Sequence, residues 1–234
     1  ASPTADEAFR GEPVTSEDIA QWVEEVRGEA HTTFEALRNA LSDLAIGGIK
    51  DCVDLILSRE SSVGNLLDRC ATITPSGLKT RIHGDYHLGQ ILVVQDDLMI
   101  IDFEGEPQRP LAERRRKATP LVDLAGMLRS LDYAAWAAVD RIHEKGLIPP
   151  ERARELAFSW RDRAVADCHS AYVARAKDMP SYPQDAETAD ALLQLYLLRK
   201  AFYEMQYELA SRPTWLSIPV RGVIDMLARM AGER

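Results

Sequence analysis

Two short β-branched runs, set in a chain that otherwise has helical spacing, constrain the fold most. They read "QILVV" at 90–94 and "LMIID" at 98–102, and the polar triplet "QDD" separates them. Runs of this length and composition, joined by a few polar residues, are typical of a β-hairpin. The sequence therefore predicts a predominantly α fold that carries one small hairpin.

Helical patterns flank the hairpin on both sides. "TSED" at 15–18 has the form of a capping box and predicts a helix from Ser16 to about Leu44. After the break "IGGIK", apolar spacing and flanking breakers predict helices from about Lys50 to Ala71, from Leu121 onward, and at about 150–177, 186–210 and 217–231. We expect a single domain in which 1–78 is a helical part and 79–234 holds the hairpin and the remaining helices.

Composition narrows the classes of function. The 234 residues are 46% hydrophobic, enough for one large core, and the formal net charge of −9 argues against nucleic acid or an anionic membrane as partner. No apolar stretch approaches the roughly 20 residues of a membrane span, and the N-terminus lacks a signal peptide's apolar segment. We expect a cytoplasmic protein, in which Cys52, Cys70 and Cys168 are small core residues because they form no CxxC pair.

Polar residues cluster at the ends of the predicted strands. Asp85 lies in "HGDYHLGQ" just before the first strand, and Asp102 ends the second, so an antiparallel hairpin brings them together. Two carboxylates and the amide of Gln90 are oxygen donors that suit Mg²⁺. Phosphoryl transfer needs one Asp as base and a second Asp with a side-chain carbonyl as metal ligands, and Asp85, Asp102 and Gln90 can fill these roles.

Two other interpretations of this cluster stay open. His83, Asp85 and His87 form H-x-D-x-H, which in an extended segment would point three ligands of a zinc or di-metal hydrolase to one side. The other histidines lie in predicted helices without the spacing of metal ligands: His31, His143 and His169. Alternatively, Asp85 is an ordinary turn residue. The metallohydrolase interpretation lacks further ligands, and the turn interpretation does not account for the second acid, Asp102.

The predicted helix at 186–210 has two distinct faces. At 100° per residue, its apolar face holds Leu198, Phe202, Met205 and Leu209. Lys200, Tyr203 and Tyr207 form the opposite stripe. Such a stripe suits a sugar, since aromatic faces cover the apolar side of a pyranose ring and polar tips bond its hydroxyls, although tyrosines also pack against neighbouring helices.

A basic run, "ERRRK" at 113–117, follows the second acid of the cluster. Runs of this kind are usually solvated, and that is our default interpretation. Contact with phosphate is the alternative, because basic clusters stabilise transferring phosphoryl groups. The sequence leaves the role of Arg114, Arg115, Arg116 and Lys117 unassigned.

The motifs resemble those of a known group of enzymes. "HGDYHLGQIL" with "IIDFEGEP" is similar to the kinase-like phosphotransferases, which include aminoglycoside and choline kinases. Within that group, Gln90 in place of the usual Asn, "ERRRKATPLVDLAGMLRSLDYAA" and "KAFYEMQYELASRPTWLSIPVRG" resemble bacterial maltokinases, which are often fused to trehalose synthase. The resemblance is strong over 81–139 and good over 195–224.

This resemblance implies ATP-dependent phosphorylation of maltose to maltose 1-phosphate. It assigns Asp85 as catalytic base and Gln90 and Asp102 as Mg²⁺ ligands. His83 matches the histidine of the catalytic loop, for which we favour a structural hydrogen-bonding role. In the family, the helix that carries Lys200, Tyr203 and Tyr207 lines the sugar site together with the base.

The resemblance also implies the C-terminal lobe of a protein-kinase-like fold of the aminoglycoside phosphotransferase type. No GxGxxG or P-loop pattern occurs in the chain, only Lys50 and Lys79 precede the catalytic loop, and the sequence begins without Met. We expect an N-terminal lobe that covers ATP, and in some proteins a trehalose synthase domain, to lie outside these residues. The chain alone would then fold but phosphorylate poorly.

Three alternatives to a maltokinase lobe follow from the same residues. The first is a related kinase with another small acceptor, such as glucosamine or an aminoglycoside, which the acidic balance allows. The second is a non-catalytic sugar-binding module, which would not need the set of Asp85, Gln90 and Asp102. The third is the H-x-D-x-H metallohydrolase.

Overall fold

A computed structural model describes residues 6–41, 49–107 and 109–231. The helices are α1 (Ser16–Ala40), α2 (Ile49–Ser58), α3 (Glu60–Ala71), α4 (Leu111–Arg114), α5 (Leu121–Lys145), α6 (Pro150–Ala176), α7 (Ala186–Ser211) and α8 (Ser217–Ala231), with 3₁₀ turns at Leu88–Gln90 and Pro213–Trp215. The strands are β1 (Glu12–Pro13), β2 (Leu78–Lys79), β3 (Ile91–Val94) and β4 (Asp97–Ile100). Over the described ranges, none of the helices combines the length and the apolar character of a membrane span.

The predicted hairpin is confirmed. Strands β3 and β4 pair antiparallel, with Ile91 opposite Ile100 and Val94 opposite Asp97. Gln95 and Asp96 form the turn with φ of 48° and 64°, the left-handed backbone that two-residue hairpin turns of type I′ require at both positions. The hairpin thus places the residues just before β3 beside those just after β4.

Helix α1 begins at the predicted capping box. The hydroxyl of Thr15 accepts a hydrogen bond from the Asp18 N–H, and the Asp18 carboxylate accepts one from the Thr15 N–H. The helix ends at Ala40 rather than near Leu44, and Leu41 closes its last turn. The predicted break falls at 46–50, of which 46–48, like 42–44, lie outside the described residues.

The prediction of one helix over 50–71 is wrong, because the structure has two. Arg59 leaves helical geometry with φ −96° and ψ 6°, and its N–H donates to the carbonyl of Ile56 three residues back. Helix α2 packs against α8, while α3 packs against α1 and α7. One straight helix could not reach both neighbours. The two-residue pair of β1 and β2 was also not predicted, since it offers no periodicity.

Helix α7 passes through the centre of the molecule. The apolar face predicted for it is buried at Leu198, Phe202 and Met205, and α1 and α5 pack on either side. Phe202 meets Phe34 of α1 edge to face, with ring centroids 5.7 Å apart. The hydrophobic core runs from Val14 to Leu227 and so draws on both predicted parts of the chain. Helix α7 consequently presents its other face to the hairpin side from a fixed position.

The three cysteines agree with the interpretation as small core residues. Cys70 is buried, and Cys52 and Cys168 are half-buried against the same core. All three are free thiols. Burial raises the pKa of Cys70 to about 11 and also raises the pKa of Cys168, as expected for thiols in apolar surroundings.

Candidate active site

Asp123, in the first turn of α5, holds the loop that contains Asp85. Its two carboxylate oxygens accept hydrogen bonds from the backbone N–H groups of His83, at 2.8 Å, and Gly84, at 2.9 Å. Burial raises the pKa of Asp123 although both hydrogen bonds oppose the shift. The loop is therefore anchored by its backbone to a helix of the core.

His83 connects this loop to the end of β4. Its Nε2 lies 2.8 Å from the carbonyl oxygen of Ile101, and its Nδ1 accepts the N–H of Asp85 at 3.3 Å. A ring nitrogen that faces a carbonyl must donate and one that faces an N–H must accept, so the ring is the neutral Nε2–H tautomer. With both nitrogens bonded to backbone and 6% of its surface exposed, His83 positions the neighbouring Asp85.

Glycines allow three backbone segments to approach one another at this point. A Cβ on Gly84, where φ is 82°, would lie 3.3 Å from the Cα of Gly105, which follows Asp102 by three residues. A Cβ on Gly126 of α5 would lie 2.6 Å from the carbonyl oxygen of Tyr86. Larger residues at these positions would separate the segments.

Asp85 shares a cationic partner with a second acid. Nζ of Lys200 lies 3.0 Å from Oδ1 of Asp85 and 3.2 Å from Oε1 of Glu106, and Nε of Arg109 donates to Glu106 at 2.5 Å. Burial disfavours the charge on Lys200, but Glu106 and Asp85 outweigh it and raise the pKa of the ammonium group. Nζ also sits 4.6 Å from the ring centroid of Tyr203. The result is a compact, paired set of charges against an aromatic face.

Gln90 and Asp102 meet as the hairpin predicted. Nε2 of Gln90 donates to Oδ2 of Asp102 at 3.3 Å, and the Ile101 N–H donates to the Gln90 carbonyl at 3.0 Å. Asp102 has φ of 62°, an uncommon conformation outside glycine that recurs at functional sites. The oxygen and nitrogen of a side-chain amide exchange places when the amide is turned over. In that orientation the Gln90 oxygen, rather than Nε2, would face Asp102 and could bind a cation there. This pair fits a magnesium ion.

The donors match magnesium better than zinc. Across the described residues, no group of three or more His, Cys, Asp or Glu side chains could hold a metal. Mg²⁺ is typically bound by one or two protein carboxylates together with substrate phosphates and water. The H-x-D-x-H segment does not form a joint ligand set: His83 is bonded to backbone, and His87 accepts the Gly89 N–H through Nδ1 and leaves Nε2 3.8 Å from Asp85.

A cleft of about 120 Å³ opens beside Asp85, and Gln90 and Asp102 are not among the residues that line it. Asp85, Lys200 and Tyr203 line it, whereas Tyr207 does not. The Tyr207 ring stacks on Tyr203 with centroids 6.4 Å apart and is 37% exposed. Burial and the nearby Glu106 raise the pKa of Tyr203 to about 12. The structure thus unites two members of the predicted sugar stripe with Asp85 and places the third beside the cleft.

A second aromatic group continues from Tyr207. The ring of Tyr133 stacks with Trp215, and its hydroxyl donates to Oε1 of Glu208 at 2.7 Å. The guanidinium of Arg212 lies 4.8 Å from the Trp215 ring centroid and 5.4 Å from that of Tyr207. A surface of aromatic faces with polar tips therefore extends from the rim of the cleft.

Sequence reasoning did not find Glu106, Asp123 or this second aromatic group. Glu106 lies in the quoted motif "DFEGEP", and Asp123 in "ATPLVD" just inside a predicted helix start. Their sequence positions marked them for inspection. Their partners in the site lie far away in sequence: Gly84 is 39 residues from Asp123, and Lys200 is 94 residues from Glu106.

The sequence is similar to those of known glucosamine kinases. No model of a protein family matches the sequence. The chain is 25% identical over 224 residues to a glucosamine kinase of Streptacidiphilus jiangxiensis and 26% identical over 222 residues to one of Mycolicibacterium smegmatis. The alignments cover 94% and 92% of this chain but 45% and 48% of those kinases. The chain thus spans about half the length of the curated relatives it matches.

Solved structures give the same result for the fold. A glucosamine kinase in complex with glucosamine, ADP and inorganic phosphate superposes with a TM-score of 0.75 at 20% identity, over 96% of this chain and 51% of that one. A second glucosamine kinase crystal form gives 0.73 at 21% identity. The chain has the fold of one half of a glucosamine kinase. At this level of identity, the likeness concerns the fold alone.

Proposed function

We propose that this chain is the phosphoryl-transfer and acceptor-binding part of an ATP-dependent sugar kinase, with glucosamine as acceptor. The observation that carries the proposal is the meeting of Asp85 with Lys200 and Tyr203 around one cleft. His83 bonds to the backbone of both Asp85 and Ile101, and so connects this group to the segment that holds the pair of Gln90 and Asp102. A base, a cation and an aromatic face on the acceptor side and two magnesium ligands on the nucleotide side are the parts that phosphoryl transfer to a sugar requires.

In the proposed reaction, the γ-phosphoryl group of ATP passes to a hydroxyl of the sugar. The bond to the leaving ADP oxygen breaks, a bond to the sugar oxygen forms, and Asp85 accepts the hydroxyl proton. Gln90 and Asp102 would hold Mg²⁺, which when bound neutralises charge on the phosphates. Lys200 orients the Asp85 carboxylate, and His83 and Asp123 fix the loop on which that carboxylate is carried.

The choice of glucosamine over maltose has two supports. The relatives and structures reported above are glucosamine kinases, so they favour the amino-sugar alternative over the maltose acceptor that the motif resemblance implied. In addition, Asp85 and Glu106 already bind one ammonium group, that of Lys200. Carboxylates that line such a cleft, in a chain of net charge −9, suit an acceptor that carries an amine.

We further propose that a segment outside this chain covers the nucleotide. Both faces of the hairpin expose large apolar side chains, with Val93 at 78% on one face and Met99 at 52% on the other. Exposed apolar surface of this kind marks a site of contact with another segment or a ligand. The proposed enzyme is therefore complete only with a further part, as the sequence resemblance also implies.

The proposal is tested in the intact natural protein with Asp85→Asn. Phosphorylation of glucosamine, maltose, glucose and an aminoglycoside is measured with ATP and Mg²⁺, and glucosamine affinity is measured by calorimetry. We expect glucosamine to be the best substrate, and the substitution to lower kcat by about 10³-fold, within the range of general base catalysis, with little change in glucosamine affinity.

Asp96→Asn is the matched control, because Asp96 is an exposed hairpin-turn residue at φ 64°, a conformation that Asn also adopts. It should leave turnover unchanged. Preference for maltose would support the maltokinase interpretation instead. Sugar binding without turnover of any acceptor would support a non-catalytic module. Either result would contradict the proposal.

A further inference from the structure

Six cationic side chains line the cleft within the described part of the chain: Arg109, Arg114, Arg116, Lys117, Arg199 and Lys200. Five of them are held by acidic side chains. Lys200 and Arg109 bind Glu106, Arg116 and Arg199 bind Glu25, and Lys117 binds Glu12. Their charge is largely committed to the protein itself.

Arg114 differs from these five. Its Nε is buried and has no hydrogen-bond partner. Its Nη1 reaches the carbonyl oxygen of Glu104 only at 3.4 Å and the carboxylate at 3.9 Å, and that carboxylate is 82% exposed. A long ion pair with an exposed acid is weak in water. Arg114 is therefore less committed to protein partners than the other five cations that line the cleft.

The stem of Arg114 is fixed beside the two loops of the site. A Cβ on Gly105 would lie 3.3 Å from the Cβ and 3.5 Å from the Cγ of Arg114, and a Cβ on Gly84 would lie 3.3 Å from the Cα of Gly105. The loop of Asp85, the loop of Asp102 and the Arg114 side chain are thus stacked in that order. The Arg114 side chain thus lies against the loop that follows Asp102, and it lines the same cleft as Asp85.

From this geometry we propose that Arg114 binds the phosphoryl group during its transfer, an inference that rests on the sugar-kinase function proposed above. The transferring group carries negative charge on its three equatorial oxygens. A planar guanidinium offers paired N–H donors that match two such oxygens, and it stays charged at every working pH. The proposal gives a role to Arg114, one of the four basic residues at 114–117 whose role the sequence left unassigned.

The chain offers a matched control in the adjacent residue. Arg115 lies at the end of the same short helix, is exposed, and does not line the cleft. Arg114→Met, Arg114→Lys and Arg115→Met are made in the intact natural protein. Each is assayed for kcat and acceptor KM, for calorimetric affinity toward ADP and toward the β,γ-imido analogue of ATP, both with Mg²⁺, and for melting temperature.

We expect Arg114→Met to lower kcat about 10²-fold or more, with acceptor KM changed by less than about threefold. Affinity for the imido analogue should fall about tenfold, while ADP affinity stays constant, because only the analogue carries a γ-phosphate. Arg114→Lys should recover part of kcat, since it restores a charge without the planar fork. Arg115→Met should behave as wild type.

Other outcomes separate this inference from the function on which it rests. An active wild-type protein whose kcat and analogue affinity survive Arg114→Met overturns the role of Arg114 and leaves the kinase proposal intact. Equal loss of ADP and analogue affinity also overturns it, because the residue would then bind the nucleotide generally. A wild-type protein inactive toward every acceptor overturns both. If the Met variant fails to fold, the Lys variant decides by the same criteria.

Discussion

The ammonium group of Lys200 lies 3.0 Å from Oδ1 of Asp85, although 115 residues separate them in sequence. Lys200 sits on a central core helix, and Asp85 sits on a loop tied to α5 by Asp123. The pair therefore joins the helix that carries the proposed acceptor residues to the loop that carries the proposed base. Shared binding of Glu106 by the same ammonium group makes Lys200 the centre of the site.

Lys200→Met should lower kcat for sugar phosphorylation about 10²-fold, the lower end of what a well-placed base contributes. Without the ammonium group, the carboxylates of Asp85 and Glu106 lose their common counter-charge, so that Asp85 is less well oriented. Steady-state kinetics on the intact natural protein measures the effect.

Lys79→Met is its control. Lys79 forms an equally close ion pair, 2.7 Å from Asp18, but lies outside the cleft. If both variants lose activity to the same extent, the loss reflects general stability, and the proposed role of Lys200 is wrong.

The sequence predicted helices α5 to α8 well for an identifiable reason. Pro149 and Pro150, the side-chain cap at Asp185 and the C-terminal Gly146 mark helix ends by local chemistry, which a sequence displays directly. The break at Arg59 carries no such mark. It follows from the different neighbours of α2 and α3, which only the folded chain reveals.

In the candidate site, too, local patterns predicted some residues and tertiary contacts decided the others. Asp85, Gln90 and Asp102 fall within 18 residues, and a hairpin is enough to bring their segments together. Helical periodicity also grouped Lys200, Tyr203 and Tyr207, but it cannot say how far a cleft extends along a helix. Tyr207 lies one turn beyond Tyr203 and falls outside the cleft. Glu106 lies within the quoted motif "DFEGEP", but its contact with Lys200 spans 94 residues and no local pattern shows it.

Gly126→Ala should weaken acceptor binding by at least about tenfold and destabilise the chain by about 1–3 kcal/mol. The added Cβ would lie 2.6 Å from the Tyr86 carbonyl oxygen, so that the loop of Asp85 must move away from α5. Calorimetric titration and urea unfolding of the same variant measure the two effects.

Gly64→Ala is the control for this substitution, because a Cβ at this position in α3 has no neighbour within 4 Å. It should stabilise the chain by up to about 1 kcal/mol through helix propensity, without an effect on binding. Wild-type affinity in Gly126→Ala would contradict the close approach of loop and helix.

Gly222→Ala should destabilise the chain by about 2–4 kcal/mol. Its Cβ would lie 2.5 Å from Oδ2 of Asp132 and 2.9 Å from Nη1 of Arg129, two buried side chains that bind each other at 2.7 Å. Burial and the neighbouring acids, Glu204 first, act on Arg129 in opposite directions, and its pKa is raised on balance, so the charge persists in the core. The free energy of unfolding in urea is the measurement.

Gly28→Ala is the control for Gly222→Ala, because a Cβ on Gly28 of α1 would have no neighbour within 4 Å. Helix propensity alone should make it neutral or stabilising by up to about 1 kcal/mol. Equal stability of the two variants would mean that the contact between α8 and the buried ion pair is looser than the distances indicate.

Asp123→Asn tests, through the pH dependence of stability, how Asp123 anchors the loop that carries Asp85. Burial raises the pKa of Asp123 above its ordinary value of about 3.9, so the stability that this carboxyl contributes is complete below about pH 3.9 and declines as pH rises through the folded-state pKa. Asn does not titrate. The free energy of unfolding of wild type minus that of the variant should therefore fall as pH rises from about 3.9, then level off. Asp167→Asn is the control, because Asp167 is an exposed residue of α6 and the substitution removes a carboxylate from the surface only. Urea unfolding between about pH 3.5 and 7 measures all three proteins, and a difference that rises with pH would show that the two backbone hydrogen bonds outweigh burial.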